Sequence, residues 1–520
     1  MEKGKFGCLA ICACVLAMVV AGANMFLGNL NLDEGWYLQA AVNVAAGKMP
    51  YRDFFFTQAP LLPRVYGWLL PFWGGNGVLG GRILTFLIGL NAAWFAAIAV
   101  RQYVPARRRV AATLTVFMLL ACNVYHSYFT VIPKTYALAS FCLTLGILFL
   151  SLVRQCGDRG RNAYALAAFG GFWLAAAAST RLSLGIALPI AGLWLLATCR
   201  RHGFAWFFFG IGGFAGLGLF LLPYALKDWD AFVFANFFHG ARAGGGIAMT
   251  AGSISRLARN YLPAVFVALA ATAVAWRTGW AAFRRALRAV APLIAVFAGI
   301  FIVHALSPFP YDDYQVPGMP ILICAVASLF WNVMPEADDA SEWRTQRVVL
   351  ASLLAVSAIC AFTSPLNESW VMVRKDRFWV EMKKEPDIVK LRRVGRELRE
   401  ASGGDELLTT DTYLAVEARA PVPAGLEMGP FGYFPNLDDE KARRFHVLNR
   451  NLLAELAETT TAKCAAFSGY AFAMAAPEMN KIPEDEHEEL IGLATSRFEP
   501  AETVADFGQE HTELRTWRRK

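Results

Sequence analysis

Long runs of apolar residues, separated by short polar segments, occupy the first 364 positions of the chain. An α-helix needs about 20 such residues to cross the hydrocarbon core of a bilayer. Runs near that length lie at 7–27, 78–100, 110–125, 134–153, 163–179, 182–198, 204–224, 260–276, 288–306, 315–333 and 348–364. The pattern therefore predicts an α-helical polytopic membrane protein with about eleven transmembrane helices. The length of the first run favours an uncleaved first span over a signal peptide.

The pattern changes at about residue 365, where charged residues become frequent. Helical periodicity appears at 387–401 and 438–458, and short strand-like runs appear at 406–411 and 463–469. Such an alternation predicts a small α/β soluble domain. We therefore expect two domains, a transmembrane domain at 1–364 and a soluble domain at 365–520.

The basic residues indicate how the chain crosses the membrane. The composition, 56% hydrophobic and 17% charged with a net charge of +8, already excludes an ordinary soluble protein. Arginines cluster in the loops at 101–109, 154–161, 200–202 and 277–288, which the predicted spans all place on one side. Because such loops face the cytoplasm, we expect a cytoplasmic N-terminus, a soluble domain on the outer face, and no nucleic-acid partner.

Two adjacent acids, Asp33 and Glu34, follow the first apolar run. The segment from 31 to 47 has helical spacing but is too short to cross a bilayer, so it predicts a surface helix with Asp33 as its N-cap and Glu34 in its first turn. A second amphipathic segment at 58–70 predicts another surface helix. A carboxylate at the membrane edge can accept a proton or bind a cation, although capping and the helix dipole explain the same two residues.

Further ionisable or polar side chains fall near the same outer face by this count of spans. They are Arg64, His126, Lys134, Arg181, His239, His304, Tyr311, Asp312 and Asp313. Ionisable residues at membrane depth are candidates for function, and cations on one face suit the phosphate of a lipid. Each lysine or arginine also has a purely structural explanation, since long basic side chains extend to the interface.

The segments around these residues resemble the membrane glycosyltransferases of the GT-C fold, above all family 39. The resemblance lies in the Asp-Glu pair, the following helix with Trp and Tyr, GKMPYRD at 47–53 and TQAPLLP at 57–63. KTYALAS at 134–140 and STRLSLGIALP at 179–189 are similar to the same branch. That branch contains protein O-mannosyltransferases and the aminoarabinose transferase that modifies lipid A.

The resemblance implies transfer of a hexose or pentose from a polyprenyl-phosphate donor to a lipid, glycan or protein acceptor, outside the inner (plasma) membrane of a bacterium. Asp33, with Glu34 beside it, matches the family's catalytic acid. Lys134 and Arg181 match its phosphate-binding cations, and Arg64 is a further candidate. The second outer loop, NVYHSYFTVIPK, carries His126 where relatives often carry an acid, so Asp312 or Asp313 is expected to fill that role.

Some relatives bind a divalent metal at this site, so a metal cofactor stays open at this stage. Two other classes of function also stay open. A secondary transporter would have many spans and buried charges, but it would usually show an internal repeat, and none is visible in this sequence. A non-catalytic scaffold would use the soluble domain to recruit partners in envelope assembly.

Overall fold

The structure, a computed structural model, describes residues 6–156, 160–238, 246–336, 338–362, 385–472, 482–509 and 511–520. Within these ranges six helical segments are long and apolar enough to cross a membrane. They are Gly7–Phe26, Leu70–Gln102, Thr135–Val153, Arg161–Thr180, Trp280–Ala305 and Asp339–Phe362. Two bent pairs, Ala106–Ala121 with Val124–Val131 and Gly246–Asn260 with Leu262–Thr278, meet the same criterion together. The helical membrane fold is confirmed, while the count of about eleven spans stays a prediction.

The helices before residue 240 are numbered in chain order. They are α1 (Gly7–Phe26), α2 (Leu32–Ala45), α3 (Leu61–Trp68), α4 (Leu70–Trp73), α5 (Gly77–Ala99), α6 (Arg109–Ala121), α7 (Val124–Val131), α8 (Thr135–Val153), α9 (Arg161–Thr180), α10 (Ala187–Ala197), α11 (Cys199–His202), α12 (Ala205–Phe220), α13 (Leu222–Ala225) and α14 (Trp229–Val233). A 3₁₀ segment, Leu182–Ile186, separates α9 from α10, and a π-helical segment, Phe234–Phe238, follows α14. The break after α9 follows the gap between the predicted spans 163–179 and 182–198, where Arg181 lies.

The remaining helices of the membrane part are α15 (Gly246–Asn260), α16 (Leu262–Thr278), α17 (Trp280–Ala305), α18 (Met319–Val333) and α19 (Asp339–Phe362). A 3₁₀ turn, Asp312–Gln315, lies between α17 and α18. Helix α17 contains Pro292 in its interior, and α12 packs closely on α9 because glycines line their contact. A Cβ on Gly212 would come within 1.9 Å of the Ala168 carbonyl oxygen, so only glycine allows this approach.

The predicted surface helix after α1 is present as α2, but its cap differs from the prediction. Asn31, not Asp33, is the N-cap, and its side chain accepts a hydrogen bond from the Asp33 backbone N–H at 3.1 Å. Glu34 completes a capping box by accepting from the Asn31 backbone N–H at 2.9 Å. Since the cap lies two residues earlier, Asp33 stands inside the first turn with its carboxylate available for other contacts. The second predicted segment, 58–70, is helical as α3.

From residue 385 onward the chain forms a small α/β unit, called the tail below. Its helices are α20 (Asp387–Ser402), α21 (Thr412–Ala418), α22 (Asp439–Arg444), α23 (Arg450–Thr459) and α24 (Glu484–Ala494). Its strands are β1 (Leu407–Leu408), β2 (Cys464–Ser468), β3 (Phe498–Phe507) and β4 (Thr512–Arg519), in the order β1-β2-β4-β3. Of these four strands, β1 and β2 pair in parallel and the other neighbours are antiparallel. The predicted α/β class is confirmed, and the exact boundary at 364/365 lies outside the described residues.

The tail contacts the membrane part closely around α2. A Cβ on Gly35 would meet the Tyr413 backbone nitrogen at 2.4 Å, so glycine lets α2 and α21 touch through their backbones. The Glu417 carboxylate accepts a hydrogen bond from the Val78 backbone N–H at 3.0 Å, at the start of α5. An ion pair of 2.5 Å between Arg444 and Asp228 adds a third contact. The tail is therefore held against the end of the helical bundle where Asp33 lies.

Candidate active site

A polar cavity of about 760 Å³ lies between the end of the bundle and the tail. Its walls come from the start of α2, the segment before α8, the break after α9, the turn between α17 and α18, and the tail. Of the predicted site residues, it contains Asp33, Lys134, Arg181, Tyr311, Asp312 and Asp313. Four separate parts of the sequence before residue 365 therefore contribute predicted site residues to one cavity.

Asp33 and Lys134 form the central ion pair of the cavity. The Lys134 Nζ lies 2.7 Å from Asp33 Oδ2, and the Trp36 indole N–H donates to Asp33 Oδ1 at 3.1 Å. Asp33 keeps 24% of its side chain accessible, whereas Lys134 is 8% accessible. Both carboxylate oxygens thus have a partner in this state, yet the carboxylate still faces the cavity.

Asp313 contacts the same ammonium from the other side. Its Oδ2 lies 3.4 Å from Lys134 Nζ and accepts a hydrogen bond from the Tyr136 hydroxyl at 2.9 Å. Lys134 immediately precedes α8 and Tyr136 is the second residue of that helix, so one helix start holds both donors. One lysine is therefore shared by two carboxylates, which orients it with little freedom to leave the cavity.

Arg181 has a different environment. Its guanidinium carbon lies 4.4 Å from the centre of the Tyr314 ring and 5.3 Å from that of Tyr136, which are cation–π distances. Its guanidinium also makes a long hydrogen bond of 3.5 Å to the Thr135 hydroxyl. No carboxylate among the described residues forms an ion pair with Arg181, so its charge is available to an anion in the cavity.

Glu34, by contrast, does not line the cavity. Its two carboxylate oxygens lie 2.6 and 2.7 Å from the guanidinium nitrogens of Arg82, and both side chains are completely inaccessible. Arg82 also donates to the carbonyls of Met25, Gly28 and Asn29, which precede α2. This placement does not support the predicted catalytic role of Glu34, because the carboxylate is enclosed and fully paired; it supports the loop that leads to Asp33.

Arg64 also lies away from Asp33. It lines a second, more apolar cavity of about 920 Å³ between α3 and the α12–α13 region, and donates to the Leu219 carbonyl at 2.8 Å. The two cavities lie toward opposite ends of α2, because Val44 and Ala45 line the second one and Asp33 the first. The structure therefore does not bring Arg64 together with Lys134 and Arg181, contrary to the sequence prediction of one phosphate site.

The two adjacent acids of the turn before α18 point to different partners. Asp312 accepts hydrogen bonds from the Tyr125 hydroxyl at 2.7 Å and the Asn260 amide at 3.2 Å, and its other oxygen pairs with Arg256 at 3.1 Å. It therefore connects α7 to α15. Asp313 is the acid of this turn that contacts Lys134. Tyr311, just before the two acids, lines the cavity with an exposed ring.

The three predicted histidines do not join this cluster. His126 contacts the Tyr261 hydroxyl at 2.9 Å, and His304 contacts the Ser183 hydroxyl at 2.7 Å; both are buried and neither lines the cavity. His239 lies outside the described residues. Asp313, and not His126, is therefore the side chain that lies beside Lys134.

The sequence interpretation missed several side chains of the cavity. Tyr136 and Tyr314, which flank Arg181, lie two and one residues from predicted candidates, so their proximity in sequence was an available signal. Four tail residues that line the cavity, Phe431, Tyr470, Gln509 and His511, had no such signal, because only the three-dimensional fold brings them to α2.

The fit of a divalent metal can be tested on the same donors. Among the described residues, no group of three or more His, Cys, Asp or Glu side chains is placed to hold a metal ion. Of the three carboxylates that line the cavity, Asp33 and Asp313 both contact the Lys134 ammonium, which occupies the position that a cation shared by them would take, and Asp312 pairs with Arg256. The residues present therefore do not fit a metal between Asp33 and Asp313.

Comparison with known proteins gives a fold and no sequence family. No protein-family model and no curated protein matches this sequence. The apo crystal structure of ArnT from Cupriavidus metallidurans aligns over 98% of this chain and 97% of its own, with a TM-score of 0.61 and 14% sequence identity. The crystal structure of the same protein bound to undecaprenyl phosphate aligns over 99% and 98%, with a TM-score of 0.63 and 14% identity. The chain is therefore a multi-pass membrane protein with the GT-C fold of membrane glycosyltransferases, as the sequence resemblance predicted.

Proposed function

We propose that this protein is a glycosyltransferase that moves a hexose or pentose from a polyprenyl-phosphate donor to an acceptor at the outer face of a bacterial inner membrane. The observation that carries the proposal is the arrangement of charges in the cavity. Arg181 has no ion-pair partner among the described carboxylates, and it stands beside the Asp33–Lys134–Asp313 cluster. ArnT, which has a similar fold, has been crystallised bound to undecaprenyl phosphate. That complex supports a donor of the polyprenyl-phosphate class.

In this proposal Arg181 and Lys134 bind the phosphate of the donor. The phosphate that links sugar and lipid carries one negative charge, and it gains a second when its bond to the sugar breaks. Preorganised cations stabilise such developing charge most strongly in a site that excludes water. Arg181 is suited to the charge already present, and Lys134 to the charge that appears, since its ammonium can exchange carboxylate contacts for contacts to phosphate.

Asp33 acts as the general base. The acceptor group X–H gives its proton to Asp33, the X–C1 bond forms, and the C1–O bond to phosphate breaks with its electron pair left on the departing phosphate. Binding of phosphate draws Lys134 away from Asp33 Oδ2, now 2.7 Å distant, and thereby frees that oxygen for the proton. Asp313 and Tyr136 are positioning residues that keep Lys134 in the cavity during this exchange.

The proposal also fixes an orientation in the membrane. The basic segments at 101–109 and 277–288 support a cytoplasmic N-terminus and a periplasmic soluble domain, 365–520. The cavity then opens to the periplasm, where a polyprenyl-linked sugar can meet its acceptor. The charged residues of the cavity lie at one end of the bundle, which fits a transferase. A transporter would have its site near the middle of the membrane.

The experiment uses the full chain in proteoliposomes that contain a panel of radiolabelled undecaprenyl-phosphate hexoses and pentoses, with envelope fractions as acceptor. We expect consumption of at least one donor with release of undecaprenyl phosphate. Asp33→Asn should lower the rate by roughly 10²–10⁴-fold, the usual contribution of a general base. Binding of undecaprenyl phosphate should remain in that variant, because the cations are unchanged.

Asp53→Asn is the matched control. Asp53 belongs to the same outer loop and pairs with Arg52 at 2.6 Å, but it does not line the cavity. This variant should transfer at the wild-type rate. Wild-type activity in Asp33→Asn would overturn the assignment of the base, and passage of the intact donor across the bilayer without transfer would favour a transporter.

A further inference from the structure

The tail supplies part of the wall of the cavity that contains Asp33. The side chains involved are Phe431, Tyr470, Gln509 and His511, which come from two connections and one 3₁₀ turn of the tail. The Phe431 ring meets the edge of Trp36, which itself donates to Asp33, with 6.0 Å between ring centres. The tail is thus in contact with the residues that surround the proposed base.

Tail side chains also hold the backbone just before Asp33. The Gln509 side-chain oxygen accepts a hydrogen bond from the Leu32 backbone N–H at 3.0 Å, and the Asp387 carboxylate accepts one from the Leu30 N–H at 3.1 Å. These two N–H groups flank Asn31, the cap of α2. The N–H groups in the first turn of a helix have no helical partners. The tail satisfies one of them, that of Leu32, and so helps to fix where α2 begins.

The connection between β3 and β4 adopts an unusual backbone at this place. His511 has a φ of +56° and Gly508 a φ of +74°. Residues other than glycine rarely occupy this region, and such conformations concentrate at functional sites. His511 Nδ1 pairs with Asp506 Oδ1 at 3.1 Å, which holds the imidazole in one orientation beside the cavity.

The chemistry of the tail's contribution is specific. None of its four side chains is a carboxylate, lysine or arginine, two are aromatic, and Gln509 offers an amide. Neighbouring Thr57, Gln58 and Asn236 add neutral groups that both donate and accept hydrogen bonds. Neutral hydrogen-bonding groups beside aromatic faces suit a ligand that has hydroxyl groups on one edge and C–H groups on its face. A sugar ring has this chemistry, whereas a charged peptide or phosphate does not need it.

We propose that Phe431, Tyr470, Gln509 and His511 form an acceptor wall, and that the acceptor bound against it is a glycan. The inference rests on the proposed function, since it assigns a substrate class to the same cavity. The donor phosphate occupies the side with Arg181 and Lys134, the acceptor glycan occupies the side with the tail, and Asp33 lies between them. The tail is then a specificity element of the active site and not a separate recruiting domain.

The test measures binding of the full chain in nanodiscs, with undecaprenyl phosphate present, to an array of defined bacterial oligosaccharides and of neutral peptides that contain Ser and Thr. We expect retention on a subset of the oligosaccharides and none on the peptides. Tyr470→Ala and His511→Gly should each weaken that binding by roughly tenfold, a usual effect for one contact in a pocket. Glycine at 511 keeps the left-handed backbone without strain.

His446→Gly is the matched control for His511→Gly. His446 is also a tail histidine with a φ of +56°, but it does not line the cavity, so this variant should bind glycans like the wild type. Binding of peptides that depends on Tyr470, no binding of any oligosaccharide, or equal glycan binding by wild type and both wall variants would overturn the inference. Binding of undecaprenyl phosphate, measured in parallel, reports on the proposed function separately, because it depends on Arg181 and not on the acceptor wall.

Discussion

Replacing Glu34 with Gln tests whether the two adjacent acids have different roles. In the structure the Glu34 carboxylate accepts two of the five hydrogen bonds that Arg82 donates, at 2.6 and 2.7 Å, and neither side chain is accessible. Removal of one charge from a buried pair leaves the other charge without compensation, which typically costs about 3–5 kcal/mol. The amide oxygen of the Glu34→Gln variant would still accept the capping hydrogen bond from Asn31, and three carbonyls would still contact Arg82. We therefore expect a loss at the lower end, about 3 kcal/mol.

The assay compares thermal unfolding and sugar transfer in the same detergent-purified preparations. Glu34→Gln should lower the unfolding temperature clearly, and transfer measured well below that temperature should fall much less than in Asp33→Asn. Asp33→Asn should show the opposite result, with little transfer and a smaller fall in unfolding temperature, because Asp313 still compensates the charge of Lys134. The reason is geometric: Glu34 supports the loop from inside the bundle, whereas Asp33 faces the cavity.

Glu342→Gln provides the control for the loss of stability. Glu342 pairs with Arg108 at 2.5 Å, again with both side chains almost fully buried, but it does not line the cavity. A comparable destabilisation is expected, with normal transfer by the folded fraction. If Glu34→Gln instead unfolds at the wild-type temperature and loses transfer as completely as Asp33→Asn, Glu34 takes part in the chemistry and its structural assignment fails.

The phosphate site, the tail and the membrane orientation each give one further prediction. Arg181→Gln should weaken binding of undecaprenyl phosphate by roughly ten- to a hundredfold, as measured by calorimetry, since a hydrogen bond to a charged group is lost. Arg64→Gln should leave the affinity unchanged. Equal affinities for the wild type and both variants would refute the phosphate site. Burial raises the pKa of Glu427 in the tail from 4.5 to about 7, so its contribution to stability is complete below pH 4.5 and is lost as the pH rises through about 7. The unfolding temperature should therefore fall over this range more in the wild type than in Glu427→Gln, and parallel pH profiles would contradict this. Alkaline phosphatase fused after residue 520 should be active, and a fusion at Gly279, between α16 and α17, should be inactive. The reverse would contradict the proposed orientation.

The sequence predicted the elements whose pattern is local. Most apolar runs and the helices α2 and α20 follow from hydrophobic periodicity and from capping residues, and they are present close to their predicted bounds. Helices α17 and α19 are exceptions, because they begin at Trp280 and Asp339, in the polar residues before the predicted runs at 288–306 and 348–364. The region predicted as one helix at 438–458 is two helices, α22 and α23, because the Asn449 side chain caps a new helix by accepting from the Leu452 N–H. The hairpin of β3 and β4 was not predicted, since its residues alternate poorly between buried and exposed positions.

The sequence predicted on which face of the membrane the residues of the candidate site lie, because the number of spans determines that face. Counting spans placed Asp33, Lys134 and Arg181 on one face, and these three do line one cavity. The same reasoning placed Arg64 with them, because a span count gives depth in the membrane but not position around the bundle. The contacts of the tail with α2 could not be predicted from a count of spans for another reason. Gln509 is 477 residues away in sequence from the N–H group that it binds.

The difference between Asp33 and Glu34 follows from the geometry of a single helical turn. Successive residues of an α-helix project about 100° apart, so two neighbouring acids in a first turn cannot face the same surface. The cap at Asn31 sets the phase of α2 and hence which acid turns inward to Arg82 and which turns to Lys134. If Asp33 were the cap, as the sequence predicted, the phase of α2 would differ and would not direct Glu34 to Arg82 and Asp33 to Lys134 in this way. The Asn31 backbone N–H donates to Glu34, and the next N–H, that of Leu32, donates to the tail's Gln509. The position of this one capping residue therefore decides which carboxylate faces the cavity.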